Sequence, residues 1–264
     1  MANARFLLRP RWVLSHLLVG LVVVTMVSLG FWQLRRLDDK RDRNALIESR
    51  RDQPVAPVDD LLAPGADDGA VDAVRFRTVT ATGTYDDDAT VPVRNRTQNG
   101  AAGAWLVTPL RLDGGERVGV IRGFVSFTPD GAVVDAPVPD GTVTVTGLVV
   151  DPDQLDGTAP DDVAPLLAGD DVLPALVRAD ESDPPEPNAG DAAAPDPEAI
   201  LTVPPPELSE GPHLGYAVQW FIFSAIAVIG YPFVLRRVIL RRGKEVDDGG
   251  DDLDRELDDL LRQG

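Results

Sequence analysis

Two apolar stretches without a charged residue lie near the two ends of the chain, at residues 12–34 and 212–235. Each is long enough for a helix to cross the hydrocarbon core of a bilayer, which needs about 20 residues. The sequence therefore predicts a transmembrane helix over 12–34 and a linker with a second transmembrane helix over 207–235. A cleaved signal peptide is the alternative for the first stretch, but its apolar part would be shorter and would end at small residues.

Charges next to the second stretch predict its direction. Glu207 and Glu210 precede it, and five basic residues follow it at once: Arg236, Arg237, Arg241, Arg242 and Lys244. Because Lys and Arg beside a span are retained on the cytoplasmic side, the helix is expected to end inside the cell. The sequence then predicts a multi-pass protein of the plasma membrane, with a cytoplasmic N-terminus (1–11), a cytoplasmic acidic tail (236–264) and the middle of the chain on the outer face.

The middle of the chain begins with a predicted helical stalk and connector over residues 35–73. A β-rich domain over 74–206 follows, in which Val, Thr and aromatic residues alternate with polar ones. Short turns join the predicted strands, which favours antiparallel pairing and closure as a small barrel or sandwich. The predicted strands cover residues 74–85, 89–98, 105–112, 117–127 and 142–150, with short ones at 173–178 and 199–203. An acidic insertion at about 180–198 is expected to be disordered. The predicted fold class is an α+β membrane protein.

Composition excludes several classes of function. With 43 acidic and 25 basic residues the net charge is −18, which argues against nucleic acid as a partner. The chain has no cysteine, so thiolate metal sites and thiol catalysis are excluded. The familiar catalytic motifs of hydrolases and nucleotide-binding enzymes are also missing, and no enzymatic activity is expected. The bilayer is the partner that composition supports.

Few residues carry candidate chemistry. His213 is one of two histidines, and Tyr216 and Trp220 follow it at the spacing that places all three on one helical face. They are either interfacial anchors or the lining of a membrane-embedded ligand site. His16 is expected to face the helix bundle or the interface. Arg122 interrupts an apolar run and is expected to pair with an acidic residue of the chain or with a partner's carboxylates.

Four short motifs, in order along the chain, resemble those of the surfeit-locus-one family of cytochrome c oxidase assembly factors. They are L-G-F-W-Q-L-x-R at 29–36, G-A-W-L-V-T-P-L at 103–110, V-I-R-G-F-V at 120–125 and G-P-H-L-G-Y-A-V-Q-W at 211–220. The chain departs from the family pattern at Ile121, where Asn is usual, and at Phe124, where Trp is usual. The acidic insertion is also foreign to the pattern.

The resemblance implies a function that the residue pattern alone does not. It implies a heme-handling assembly factor that binds heme A transiently through His213, with Tyr216 and Trp220 beside it, and that aids insertion of heme A into subunit I. Subunit I of cytochrome c oxidase and the heme A synthesis machinery are then the expected partners, and Trp32, Gln33 and Arg122 are expected partner contacts. The alternatives are a membrane scaffold that never binds heme and, less favoured, an extracytoplasmic sensor.

Overall fold

The computed structural model describes residues 7–134, 136–155, 159–190 and 199–262. These residues form five helices and seven strands, apart from a few short 3₁₀ turns. The helices are α1 (Pro10–Arg51), α2 (Val58–Leu61), α3 (Asp68–Val74), α4 (Ala159–Val163) and α5 (His213–Arg262). The strands are β1 (Ala56–Pro57), β2 (Thr78–Tyr85), β3 (Val91–Gln98), β4 (Ala101–Leu112), β5 (Arg117–Ser126), β6 (Val143–Val150) and β7 (Val172–Asp183). The chain divides into two compact units, residues 1–43 with 209–264 and residues 44–208.

The first unit is an antiparallel pair made by α1 and α5. Along each helix the less exposed residues recur every three or four positions, which is the repeat of a left-handed helix pair. We call this set the seam. Its members are Trp12, His16, Val19, Val23, Met26, Gly30, Gln33 and Leu37 in α1, and His213, Ala217, Trp220, Ser224, Ala227, Tyr231, Leu235 and Val238 in α5.

Both helices of the pair are long and apolar enough to cross a membrane, over Pro10–Arg51 and His213–Arg241. Away from the seam they expose large apolar side chains, among them Leu18, Leu21, Ile226 and Phe233. This distribution is compatible with a membrane protein, because exposure of large apolar side chains is unfavourable in water but not in lipid.

The second unit contains a mixed seven-stranded sheet in the order β1-β2-β6-β7-β5-β4-β3. Strand β2 pairs with β6 along its length and also with β4 through Gly83–Tyr85. The pairings β2–β6–β7–β5–β4–β2 therefore form a closed circuit. The buried side chains of all five of these strands meet α2 and α3 in one cluster, and a second cluster lies on the opposite face with β3 and α4.

The sheet corrects the expectation of purely antiparallel pairing. Strand β7 runs parallel to β5, and the short β1 runs parallel to β2. Chain order alone suggested hairpins between consecutive strands. Instead β7 lies between β5 and β6, where it is antiparallel to β6 and parallel to β5. Two helices, α2 and α3, also occupy the stretch expected to be an irregular connector. Closure as a barrel or sandwich and the domain boundaries drawn from the sequence stay predictions.

The predicted acidic insertion at 180–198 is wrong at its beginning. Asp180–Asp183 are the last residues of β7, and Glu181, Ser182 and Asp183 pair with Thr146, Val145 and Thr144 of β6. Residues 184–190 have described contacts as well, and residues 191–198 lie outside the described part of the chain. The short strand predicted at 199–203 is reduced to isolated bridges at Ile200 and Leu201. The second apolar stretch and most of the acidic tail belong to one helix, since α5 continues to Arg262.

Candidate functional site

His213 is the first residue of α5 and contacts the other helix of the first unit. Its Nδ1 atom lies 2.8 Å from Oε1 of Gln33, which is 180 positions earlier in the chain. The contact arises because Gln33 and His213 belong to the seams of two antiparallel helices. The structure thus brings together two residues that the sequence had assigned to different roles, a partner contact and a ligand.

This hydrogen bond determines which imidazole nitrogen remains available. An amide oxygen only accepts, so Nδ1 of His213 must carry the proton and donate to Gln33. The neutral ring then keeps its lone pair on Nε2, which is the tautomer found when a histidine binds a metal and donates its other N–H to a neighbour.

Gly211 borders the free edge of the His213 ring. Its φ of +68° lies in the left-handed region, where L side chains are strained. A Cβ atom placed there would lie 3.4 Å from Cδ2 and 3.5 Å from Nε2 of His213. The glycine therefore leaves a cradle at the nitrogen that carries the lone pair.

The aromatic residues expected near His213 are placed differently from one another. Trp220 is half-buried in the seam and meets Phe223 edge-to-face, with ring centroids 6.3 Å apart. Tyr216 and Trp32 are exposed, at 48% and 46%. Within the described residues no group of three or more His, Asp or Glu side chains is placed to hold a metal ion. A metal-containing ligand at this site would therefore depend on the single imidazole of His213.

An ion pair holds the chain just before His213. Nε and Nη2 of Arg41 donate to the two carboxylate oxygens of Glu210, at 2.9 and 3.0 Å. The hydrogen bond from Arg41 lowers the pKa of Glu210. Because the pKa of Glu210 is lowered in the folded state, the ion pair stabilises the fold at pH values above the ordinary pKa of a glutamate. This stabilisation is lost as the pH falls through the lowered pKa. Both side chains are about half exposed, so the contribution is small.

His16 lies near the opposite end of the helix pair. Its Nδ1 atom is 2.6 Å from the hydroxyl of Tyr231, and the two rings meet edge-to-face. Ser15 Oγ lies 3.4 Å from the same hydroxyl. His16 therefore faces α5, as one of the two predicted placements had it, and its imidazole is already bonded across the seam.

Arg122 belongs to the second unit and is enclosed there. Its side chain is 0% exposed, and its Nε and Nη2 atoms donate to the carboxylate of Glu186. Nη1 donates to the carbonyl of Ala136 and Nη2 also to that of Pro137. The guanidinium also lies 5.5 Å from the ring centre of Tyr85. Of the two partners expected for Arg122, the structure provides the acidic residue of the chain itself, so no partner contact is proposed for this side chain.

Three residues of these contacts escaped the sequence analysis. Glu186 was hidden in an acidic stretch whose composition suggested a loop, and Tyr231 looked like any aromatic residue of an apolar helix. Glu210 was noticed only as a charge before the span. Nothing local marks such partners, because each contact joins residues far apart in the chain.

Comparison with known proteins agrees with the four motifs. A model of the SURF1 family matches residues 20–225. The chain belongs to the SURF1 family. Uncharacterized SURF1-like proteins of Mycobacterium bovis and Mycobacterium tuberculosis are each 32% identical to it over 266 residues, 93% of this chain and 91% of the relative. A SURF1-like protein of Monosiga brevicollis is 28% identical over 247 residues, 83% of this chain and 87% of the relative.

Membership in the SURF1 family implies a role in cytochrome oxidase assembly, because its members are known generally as oxidase assembly factors rather than enzymes. The predicted resemblance to the surfeit-locus-one family is thereby confirmed. The residues that carry out this role in the chain, and heme A as a bound molecule, remain matters of proposal.

Proposed function

We propose that this SURF1-family protein binds heme A as transient cargo through His213 and passes it to subunit I of cytochrome c oxidase. The observation that carries the proposal is the hydrogen bond between Gln33 and His213, because it leaves Nε2 as the free nitrogen. Neutral imidazole is a common axial ligand of heme iron. Gln33 acts here as a positioning residue, fixing the tautomer and direction of the ring.

The surroundings of His213 suit such a cargo. Gly211 leaves room beside Nε2. Tyr216 is exposed and Trp220 half-buried on the same helix, so apolar rings are available for the macrocycle beside the imidazole. With His213 as its one protein ligand, the iron would be held more weakly than by two protein ligands. This suits a protein that must release its cargo.

We also propose that α1 and α5 span the plasma membrane, with both termini in the cytoplasm and the sheet domain on the outer face. The support is the length and apolar surface of the two helices, together with the basic residues that follow the second. His213 then lies at the outer boundary of the bilayer and His16 near the inner one.

The test is the amount of heme that the protein retains. The full chain is expressed in cells that make heme A and purified in mild detergent, and bound heme is measured from its absorbance. His213→Ala is expected to lose the heme while the protein accumulates normally, because a side chain at a helix start contributes little packing. Gln33→Leu keeps the ligand but removes its orienting bond, so retention should weaken by roughly 10- to 100-fold.

His16→Ala is the matched control, since it removes the other histidine of the same helix pair. It should retain heme, because His16 contacts Tyr231 near the opposite end of the helix pair, far from the proposed site at His213. Full heme occupancy in His213→Ala would show that another residue binds the iron. If the wild type carries no heme A although the cells make it, the protein acts as a scaffold that stabilises an oxidase assembly intermediate.

A further inference from the structure

One face of α5 near its inner end combines three arginines with two large apolar residues. Phe233, Arg236, Arg237, Leu240 and Arg241 line a single open groove along the helix. We call these five residues the arginine face. At 100° per residue they occupy the side of α5 opposite the seam residues Tyr231, Leu235 and Val238. The arginine face is therefore turned away from α1.

The guanidinium groups of this face are exposed and unpaired. Within the part of the chain that the structure describes, no ion pair or hydrogen bond involves the side chains of Arg236, Arg237 or Arg241. No acidic residue occurs between Phe233 and Arg241. The net charge of the chain is −18, so these three arginines form a positively charged patch on an otherwise acidic protein.

We infer that the arginine face binds the headgroup of an anionic phospholipid at the inner boundary of the membrane. Guanidinium groups bind phosphate oxygens in paired hydrogen bonds, which gives the headgroup its partner. Phe233 and Leu240, 64% and 59% exposed, lie between the arginines and offer apolar contact to the acyl chains. This inference rests on the proposed membrane placement of α5 but not on heme binding.

A basic cluster at the end of the first span lacks these features. Arg35 and Arg36 also adjoin an apolar stretch, but Asp38 and Asp39 follow them, and Arg36 pairs with Asp39 at 3.8 Å. Their charge is thus partly neutralised within the same helix. Arg35 and Arg36 are therefore a natural control for Arg236 and Arg237, because each is a pair of consecutive arginines at the end of a span.

The experiment compares two double variants of the full chain in mild detergent. One is Arg236→Gln/Arg237→Gln and the other is Arg35→Gln/Arg36→Gln. Each protein is mixed with phosphatidylglycerol or phosphatidylcholine of the same acyl chains, and retained lipid is measured by native mass spectrometry. The wild type should prefer phosphatidylglycerol. Loss of two arginines near the surface should weaken that binding on the order of thirtyfold in the first variant and leave the second about unchanged.

Added salt should weaken phosphatidylglycerol binding to the wild type, since exposed charges are screened. Circular dichroism establishes that both variants keep their helices. Equal retention of the two lipids by the wild type would overturn the inference, and so would an equal loss in both variants, which would indicate a general effect of charge. Heme A plays no part in this measurement, so its outcome is independent of the test of His213.

Discussion

At the scale of single residues, the contact with the largest expected energetic effect is the one between Arg122 and Glu186. The arginine side chain is fully buried and the glutamate side chain is 11% exposed, so both charged groups are largely desolvated. A buried pair of this kind contributes little compared with an apolar pair, but removing one partner leaves an uncompensated charge. Burial likewise raises the pKa of Tyr85 beside it, because its ionised form would be desolvated.

Substitution of Glu186 is therefore expected to destabilise the sheet domain strongly. Glu186→Ala should lower its free energy of unfolding by roughly 3–5 kcal/mol, because Arg122 keeps its charge without a counter-ion. The measurement is unfolding of the full chain in urea, followed by the circular dichroism of the strands.

The control for Glu186 is Glu181→Ala, which removes an exposed glutamate of β7. It should change the free energy by less than about 0.5 kcal/mol. Equal effects of the two substitutions would mean that the ion pair does not stabilise the domain. Replacement of residues 180–198, which were expected from sequence to be disordered, would therefore remove the end of β7 and the partner of Arg122.

At the scale of elements, the helix pair depends on close packing at Gly30. A Cβ atom at this position would lie 2.8 Å from two ring carbons of Phe221, closer than such contacts occur. Small residues in a seam let helix backbones approach, which is the main source of helix association in a membrane. A side chain at position 30 therefore fits only if the Phe221 ring moves.

Gly30→Ala is expected to separate the two helices locally. A thiol-specific cross-linker between Gln33→Cys and His213→Cys reports the packing, because these two positions are in contact one turn from Gly30 and the natural chain has no cysteine to interfere. Gly30→Ala should reduce the yield, and the second substitution Phe221→Ala should restore part of it.

Gly20→Ala is the control for this experiment, since a Cβ atom there would have nothing within 4 Å. Its cross-linking yield should equal that of the wild type. A yield that is unchanged in Gly30→Ala as well would show that the helices adjust to the methyl group without moving apart.

The elements also show how far the sequence could predict the fold. Runs rich in Val, Thr and aromatic residues, bounded by turn residues, located β2 to β6 within a few residues. The end of β7 was missed, since Asp180–Asp183 have low intrinsic strand preference and are held by pairing with β6. His213 was found from its rarity and its place in a family motif. Its bond to Gln33 was not, because no local signal records a neighbour 180 residues away.

At the scale of the whole molecule, the proposed topology places both ends of the chain on the same side of the membrane. The prediction is that alkaline phosphatase fused after Gly141 is active, because it is exported with the sheet domain, and that the same enzyme fused after Gly250 is inactive. Enzyme activity in cells at equal fusion levels is the measurement.

A reporter that is active only in the cytoplasm provides the control for the fusions, since it should give the inverse result at the same two positions. Activity of alkaline phosphatase after Gly250 together with silence after Gly141 would reverse the proposed orientation. Activity at both positions would indicate that α5 does not cross the membrane.

The closed circuit of strand pairings has a further consequence, for the behaviour of the protein at high concentration. A strand with an unpaired side can recruit a strand of another molecule and start aggregation. Among the described strands, β1, which has two residues, and β3 lie at the two ends of the strand order. Strand β3 carries Pro92, which has no N–H to donate, and its register is broken between Val93 and Arg96, where Asn95 has a φ of +61°. These two strands at the ends of the order thus offer neighbouring molecules little template for strand addition.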